Sequence, residues 1–340
     1  MRVLVAPDKF KGTISAKRFV ELSIDVLAEC GLSVSGVPLA DGGDGTGEVL
    51  CDQRFHDRAR TAFGEWTVST WYATSSLAVI EVAEIVGLVA MGGPSRRGVL
   101  EGRTDGVGDL IKAAIERGYR SIAVACGGSG TTDGGIGLVE ALSGVDLRDV
   151  ELWALADVST RFLDAATLFA PQKGATPHDV RSLESRLLQV AKHFQARTGM
   201  DVTLLDGGGA AGGIAGGLAS LGATIMSGFE FVASRNGLRE MIAAADVVLT
   251  GEGRLDRSTL EGKVVSRVAQ LTSRAGGSLR VVCGCIAPDM DVRALGPRVE
   301  ASALFEDTGI VPTQSRTEER LREVLSSLGR ELSHGMGSKR

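Results

Sequence analysis

The sequence predicts an α/β fold with largely parallel sheets. Short apolar runs rich in β-branched residues alternate with segments in which apolar residues recur at helical spacing. The chain has 340 residues, which exceeds the usual size of one domain, and 44% of them are hydrophobic, enough for a large core. We therefore expect two α/β domains.

The individual elements follow from these two periodicities. Ser15 is placed to cap a first helix that ends near Gly31. An antiparallel pair of strands is predicted within residues 66–82, because apolar and polar residues alternate there. The other predicted strands are 3–6, 34–39, 121–126, 152–156, 202–205, 247–250 and 280–285. The other predicted helices are 106–117, 136–142, 178–195, one from about 211, 238–245, 263–275 and 317–332, and the tail at 333–340 is expected to fray.

The domain division is expected to be discontinuous in sequence. The chain has only 8 Pro and no low-complexity spacer that would separate two consecutive halves. We predict that residues 1–62 and 236–340 form one domain, that residues 63–235 form an inserted domain, and that the active site lies in the cleft between them.

Composition excludes several classes of protein. The formal charge is −5 with both signs scattered along the chain, so no basic stripe for nucleic acid is predicted. Five Cys without paired spacing favour a reducing compartment, and Cys283 and Cys285 are expected to be buried thiols on one face of a strand. No signal peptide or membrane span is predicted, so we expect a cytoplasmic protein. We expect a monomer or a homodimer.

Glycine is concentrated in turns that follow predicted strands. The chain contains 46 Gly, nearly twice the usual share. Ligands of open α/β sheets bind beyond the carboxyl ends of strands, so these turns could converge on one site. The five turns are "APDKFKGTIS" (6–15), "ADGGDGTGE" (40–48), "GGSGTTDGG" (127–135), "DGGGAAGGIAGG" (206–217) and "GEGRLDRSTLEGK" (251–263).

The residue types in these turns predict phosphoryl transfer. Consecutive glycines at 127–135 and 207–213 can turn backbone N–H groups toward phosphate. Carboxylates beside them would repel phosphate unless they act through a divalent ion or as a base on a hydroxyl. Cations in the same turns can neutralise a moving phosphoryl group. The carboxylates are Asp41, Asp44, Asp133, Glu252 and Asp256, and the cations are Lys11, Arg254 and Lys263.

Other interpretations of the same residues remain open. Residues 207–212 satisfy G-x-G-x-x-G, and Glu230 stands where a ribose-binding acid would be expected, which favours a dinucleotide-dependent oxidoreductase. Asp41 could cap a helix beginning near Gly45, and Asp256 could simply pair with Arg254. A regulatory ligand-binding protein on the same scaffold is a further alternative. A P-loop is excluded, and so is the serine-hydrolase elbow G-x-S-x-G around Ser129.

With these motifs in view, the chain resembles the bacterial glycerate kinase family that lacks a P-loop. The matching stretches occur in family order along nearly the whole chain, although Lys9, Asp44, Thr132, Val264 and residues 157–170 depart from the family pattern. They are "APDKFKGTISA" (6–16), "ADGGDGT" (40–46), "GGSGTTDGG" (127–135), "PQKGATP" (171–177), "GGGAAGG" (207–213) and "TGEGRLD" with "GK" (250–256, 262–263).

The resemblance implies one flavodoxin-like domain and a second α/β domain of different, mixed topology. It also implies transfer of the γ-phosphoryl group of ATP, with Mg²⁺ held mainly by the ATP phosphates, to D-glycerate. The product usually expected of the family is 2-phosphoglycerate, although some members are named for the 3-position. We hypothesise catalytic roles for Asp41 or Asp133, as base or metal ligand, and for Lys11 and Arg254. The predicted substrate and nucleotide contacts are Asp8, Gly42, Gly43, Asp44, Gly127, Gly128, Ser129, Gly130, Thr131, Gly207, Gly208, Gly209, Gly212, Glu252, Asp256 and Lys263.

Overall fold

A computed structural model describes residues 1–334, and contacts within the chain divide them into two units. Unit 1 combines Met1–Asp41 with the described residues from Val232 onward, and unit 2 is Gly42–Phe231. Of the tail predicted to fray, residues 335–340 lie outside the described residues, whereas Ser333 and His334 end the last helix. No helix within residues 1–334 is long and apolar enough to cross a membrane.

Strands and helices alternate along most of the chain, as predicted. The strands are β1 (Arg2–Val5), β2 (Ser33–Gly36), β3 (Gln53–Arg60), β4 (Trp66–Ala73), β5 (Leu77–Glu81), β6 (Ser121–Ala125), β7 (Glu151–Leu155), β8 (Thr224–Met226), β9 (Val247–Leu255), β10 (Ser278–Ile286) and β11 (Val299–Ala303). The helices are α1 (Ala16–Glu29), α2 (Thr46–Leu50), α3 (Val82–Val86), α4 (Arg96–Glu101), α5 (Asp105–Glu116), α6 (Ile136–Ala141), α7 (Asp164–Phe169), α8 (Pro177–Thr198), α9 (Ala210–Ser220), α10 (Gly228–Arg235), α11 (Leu238–Ala244), α12 (Val264–Arg274) and α13 (Gln314–His334).

Unit 1 contains a five-stranded parallel sheet in the order β11-β10-β9-β1-β2. Numbered within the unit and read from the β2 edge, this order is 2-1-3-4-5, the flavodoxin-like arrangement. The strand order reverses between β1 and β9. Helix α1 begins where predicted, because the Ser15 hydroxyl accepts a hydrogen bond of 3.2 Å from the Arg18 N–H. The predicted flavodoxin-like domain is confirmed.

Strand β9 is longer than the sequence predicts. It continues from residue 250 to Leu255, because its second half pairs with β10 in a register that joins Glu252 to Cys283. Part of the turn "GEGRLDRSTLEGK" is therefore strand. Cys283 is buried and Cys285 is partly buried, and both are free thiols.

Unit 2 contains a six-stranded mixed sheet in the order β3-β4-β5-β6-β7-β8. The antiparallel pair predicted within 66–82 is present as β4 and β5, and β5 to β8 are parallel. Strand β3, which was not predicted, pairs with β4 over its whole length. The predicted boundary between residues 62 and 63 would separate the paired strands β3 and β4, and the structure instead divides the units between Asp41 and Gly42. The second boundary lies between Phe231 and Val232, where 235 and 236 were predicted.

Of the two elements predicted around the fourth glycine turn, the strand is wrong and the helix from about residue 211 is present as α9. The strand predicted at 202–205 is a 3-10 turn, Val202–Leu204. Helix α9 is interrupted near its start, where Ala211, Gly212 and Gly213 have left-handed backbone angles with φ of 55°, 75° and 95°. Glycine tolerates such angles, whereas Ala211 is strained.

Candidate functional site

The predicted site residues form separate groups in the two units. The two units meet along the chain at Asp41 and Gly42, so the turn 40–48 contributes residues to both. Unit 1 holds Asp8, Lys11, Asp41, Glu252, Arg254, Asp256 and Lys263. Unit 2 holds Gly42, Gly43, Asp44, Gly127, Gly128, Ser129, Gly130, Thr131, Asp133, Gly207, Gly208, Gly209 and Gly212.

In unit 1, two of the predicted turns are joined at the point where the strand order reverses. The Asp8 N–H donates a hydrogen bond of 2.9 Å to the Gly251 carbonyl, and the Thr250 hydroxyl donates one of 2.7 Å to the Ala6 carbonyl. A Cβ at Gly251 would lie 2.3 Å from the Val282 carbonyl oxygen, so only glycine permits this close approach. Ligands of open α/β sheets bind at such a reversal.

Three carboxylates lie around this reversal. Burial, together with the negative charge of Asp41, raises the pKa of Asp8 to about 7. Burial likewise raises the pKa of Glu252 to about 7, although the Thr259 hydroxyl donates a hydrogen bond of 2.6 Å to its carboxylate. These carboxyl groups exchange protons near neutral pH, which is the property required of a general base.

The cations of unit 1 do not form the pair of Arg254 with Asp256 that the sequence left open. Arg254 pairs with Asp307 at 2.9 Å and not with Asp256. Asp256 instead caps the 3-10 helix Arg257–Glu261 by accepting a hydrogen bond of 2.9 Å from the Ser258 N–H, and Lys263 lies 3.9 Å from it. The side chain of Arg254 is 55% exposed, and Lys11 is exposed as well. Both cations are accessible to an anion in solvent.

In unit 2, the turn 127–135 leaves consecutive backbone donors unpaired. Within residues 1–334, the N–H groups of Gly127, Gly128 and Ser129 have no hydrogen-bond partner, whereas Gly130 donates to the Val86 carbonyl at 2.8 Å. A Cβ at Gly127 would lie 2.6 Å from the Gly43 Cα, so the turns 40–48 and 127–135 touch through bare backbone. This geometry suits an anion bound by N–H groups.

Three side chains of this turn, Ser129, Thr131 and Asp133, form hydrogen bonds within the chain. The Ser129 and Thr131 hydroxyls are 3.0 Å apart, and the Ser129 oxygen accepts from the Thr131 N–H at 3.1 Å. Asp133, only 3% exposed, accepts hydrogen bonds from the N–H groups of Gly135 and Gly137 at 3.0 and 3.2 Å, at the N-terminus of α6. Burial raises the pKa of Asp133, against these hydrogen bonds.

The glycines of 207–213 serve close packing. The N–H groups of Gly208 and Gly209 donate to the Leu205 and Thr160 carbonyls at 3.2 and 2.9 Å. A Cβ at Gly212 would lie 2.2 Å from the Thr131 carbonyl oxygen. This turn therefore shapes the turn 127–135. The dinucleotide-binding alternative loses its structural context, because no strand precedes G-x-G-x-x-G and the following helix is interrupted.

Asp41 does not cap helix α2. Helix α2 begins at Thr46 with Gly45 as its N-cap and has no side-chain cap. The donors at this end bind a residue that the sequence analysis missed, Glu81, whose carboxylate accepts from the N–H groups of Gly45 and Gly47 at 3.1 and 2.6 Å. Burial raises the pKa of Glu81 to about 7. A glutamate at the end of the apolar run "LAVIEV" was the available signal.

A second missed residue is Lys173, in the motif "PQKGATP". Its side chain is buried, and its Nζ donates a hydrogen bond of 2.6 Å to the Thr131 carbonyl. Within the described residues, no group of three His, Cys, Asp or Glu is arranged to hold a metal ion.

Comparison with known proteins places these motifs in one family. The model of the glycerate kinase family matches residues 3–151 and 143–332. An uncharacterised protein of Mycobacterium bovis is 35% identical over 92% of this chain and 86% of its own. The glycerate 2-kinase of Escherichia coli K12 is 30% identical over 86% of this chain and 87% of its own. The crystal structure of a protein assigned as glycerate kinase 2 from Salmonella typhimurium LT2 has a TM-score of 0.85 and 27% identity over 99% of both chains.

Proposed function

Because the chain belongs to the glycerate kinase family, we propose that it transfers the γ-phosphoryl group of ATP to a hydroxyl of D-glycerate. The family is one of kinases, so a nucleotide and a small acceptor are the substrates that the membership favours. The observation that carries the proposal is the run of unpaired N–H groups at Gly127, Gly128 and Ser129. Phosphoryl transfer depends mainly on positioning and electrostatics, which such donors supply.

We assign removal of the proton from the acceptor hydroxyl to the carboxylates of unit 1. Asp8 and Asp41 repel each other's charge, and Asp8 has a pKa of about 7, so a carboxylate oxygen of this pair can take up the proton. Asp133 is less suited to that role, because its oxygens already accept hydrogen bonds from N–H groups of the chain. We assign Asp133 to the shape of the turn 127–135.

The accessible cations are assigned to the anionic groups of the substrates. Arg254 and Lys11 would hold the carboxylate of D-glycerate or the moving phosphoryl group, and Lys263 would act beside them. More than half of the Arg254 side chain is exposed to solvent, although it pairs with Asp307. A surface pair of this kind contributes about 0–1 kcal/mol, so a substrate carboxylate can compete for the guanidinium.

The described residues fit Mg²⁺ only as an ion that arrives with the nucleotide. No group of three ligands is preformed within residues 1–334. Mg²⁺ at kinase sites is commonly bound by phosphate oxygens and one or two carboxylates. Asp41 or Glu252 would supply such a carboxylate. The bound ion would neutralise charge on the phosphates.

The proposed product is 2-phosphoglycerate, and the proposed compartment is the cytoplasm. The relative from Escherichia coli that matches most of the chain is named a glycerate 2-kinase, which supports the 2-position. Incubation with ATP, Mg²⁺ and D-glycerate, followed by NMR of the product, distinguishes the 2-phosphate from the 3-phosphate. A 3-phosphate product would contradict this part of the proposal.

Release of ADP tests the activity itself. We expect ADP to form from ATP and Mg²⁺ only when D-glycerate is present, and ATP rather than NAD(P)H to raise the unfolding temperature. Absence of ADP above background, with ATP still bound, would favour a regulatory binding protein. Stabilisation by NAD(P)H alone would favour the oxidoreductase that the G-x-G-x-x-G motif suggested.

A further inference from the structure

The motif "PQKGATP" places a lysine behind the turn 127–135. Lys173 is only 4% exposed and ends a 3-10 helix, Pro171–Lys173. Its carbonyl accepts a hydrogen bond of 3.0 Å from the Ser95 N–H. Gly174 follows with φ of 105°, and a Cβ there would lie 2.8 Å from the Ser95 carbonyl carbon. The backbone that carries the lysine is therefore fixed by its surroundings.

The buried amine determines the orientation of one peptide in the turn. Lys173 Nζ donates to the Thr131 carbonyl at 2.6 Å, and the described residues contain no cis peptide bond. In a trans peptide the N–H points opposite to the carbonyl. The N–H of Thr132 is consequently directed away from Lys173.

Thr132 is left with polar groups that the chain does not satisfy. The residue is 0% exposed, and within residues 1–334 neither its Oγ1 atom nor its N–H has a hydrogen-bond partner. Leaving buried polar groups unpaired destabilises a protein. A ligand that supplies an acceptor oxygen would remove this cost. The N–H groups of Gly127, Gly128 and Ser129 in the same turn are unpaired as well.

The charge of the lysine suits the same ligand. Burial lowers the pKa of Lys173 to about 7, and the carboxylate of Asp133 opposes that shift. An anion bound at the turn would add negative charge near the amine and stabilise its protonated form.

We propose that Lys173 is a positioning residue for nucleotide binding: it holds the Thr131 carbonyl so that the amide and hydroxyl of Thr132 are available to a phosphoryl oxygen. This inference rests on the proposed function. It assigns one contact with the nucleotide phosphates to the peptide that joins Thr131 and Thr132. The ligand class is a nucleoside triphosphate, bound through its phosphates.

The test measures binding of AMP-PNP with Mg²⁺ to Lys173→Met and Thr132→Val, together with their unfolding temperatures. Both variants are expected to weaken binding about tenfold. Thr132→Val removes an unpaired buried hydroxyl, so its unfolding temperature should stay equal or rise while its affinity falls. A merely structural role would change the unfolding temperature and leave the affinity unchanged.

Arg186→Met is the matched control, because Arg186 also donates from a cationic side chain to a carbonyl, that of Leu100 at 2.6 Å, which is not one of the carbonyls of the turn. It should leave AMP-PNP affinity unchanged. Wild-type affinity in both Lys173→Met and Thr132→Val would overturn the inference, and Thr132→Val decides alone if Lys173→Met does not fold. A wild-type protein that binds AMP-PNP but releases no ADP with D-glycerate would overturn the proposed acceptor alone.

Discussion

Asp133 Oδ2 accepts two hydrogen bonds from Thr104, at 2.9 Å from the backbone N–H and 2.8 Å from the hydroxyl. The Thr104 hydroxyl oxygen in turn accepts from the Leu138 N–H at 3.1 Å. This buried network ties the turn 127–135 to the starts of α5 and α6. Asp133 thus contributes to stability through its contacts with Thr104. The sequence does not show these contacts, because the two residues are 29 positions apart.

Asp133→Asn should lower stability. An amide presents an N–H₂ group to donors that need an acceptor, so we expect the free energy of unfolding to fall by about 1–3 kcal/mol. Urea unfolding measures this change. Thr104→Val keeps the shape but removes one donor to Asp133 and the acceptor of the Leu138 N–H, so it should cost about 1–3 kcal/mol. An Asp133→Asn variant of wild-type stability but greatly reduced kcat would restore the catalytic role that the sequence suggested.

Asp8→Asn and Asp41→Asn should lower kcat. If this pair accepts the proton of the hydroxyl, kcat falls by about 10²–10⁴. Stability should not fall in Asp8→Asn, because the raised pKa shows that its charged form is disfavoured in the folded state. ADP release under saturating substrates measures kcat.

Asp25→Asn is the control for this pair, because Asp25 is an exposed carboxylate on α1 of the same unit. It should keep wild-type kcat. Near-normal turnover in both Asp8→Asn and Asp41→Asn would show that the proton acceptor lies elsewhere.

The sequence predicts the elements that obey one strong periodicity and misses those set by distant contacts. Strand β3 was missed because its sequence "QRFHDRAR" is polar, as an edge strand can be, with Ala59 its one fully buried side chain. Residues 202–205 are apolar enough for a strand, but the chain turns there before α9.

Site residues were predictable where polar residues follow a predicted strand. They were not predicted where a charged side chain is important because it is buried. Asp8 and Glu252 were identified because both stand after the apolar runs of neighbouring parallel strands, although Glu252 lies within β9 itself. Lys173 was missed because nothing in its motif indicates that the lysine is buried, whereas for Glu81 the surrounding apolar run was a signal that went unused. The catalytic and binding roles of the predicted residues stay predictions.

Gly212→Ala should be strongly destabilising. The new Cβ would lie 2.2 Å from the Thr131 carbonyl oxygen, in a backbone with φ of 75°. The turn 127–135 would have to shift, so we expect a loss of about 3 kcal/mol or more and weaker AMP-PNP binding by the protein that remains folded. Thermal unfolding and a binding titration measure the two effects.

Gly222→Ala isolates the cost of the backbone angle. Gly222 has φ of 95°, but no atom lies within 4 Å of its Cβ position. We expect a loss of about 1–2 kcal/mol and unchanged AMP-PNP binding. Equal losses in the two variants would mean that crowding against Thr131 is unimportant.

Glu81 should make the protein less stable as the pH rises toward neutrality. Burial raises its pKa in the folded state from 4.5 to about 7. Between these values the folded protein binds a proton that the unfolded chain has released, so the free energy of unfolding falls with rising pH. Glu81→Gln cannot titrate, and its stability should fall less steeply between pH 5 and 7, by at most about 1.4 kcal/mol per pH unit.

Glu318 provides a contrast of opposite sign, because hydrogen bonds from Arg18 lower its pKa to about 2. Its contribution to stability is present above the unfolded value of 4.5 and is lost as the pH falls toward 2. Glu318→Gln should therefore change the acid limb of the stability profile and leave the slope between pH 5 and 7 as in the wild type. If Glu81→Gln keeps the full wild-type slope there, the Glu81 carboxyl is ionised throughout that range, and its hydrogen bonds to Gly45 and Gly47 outweigh the effect of burial.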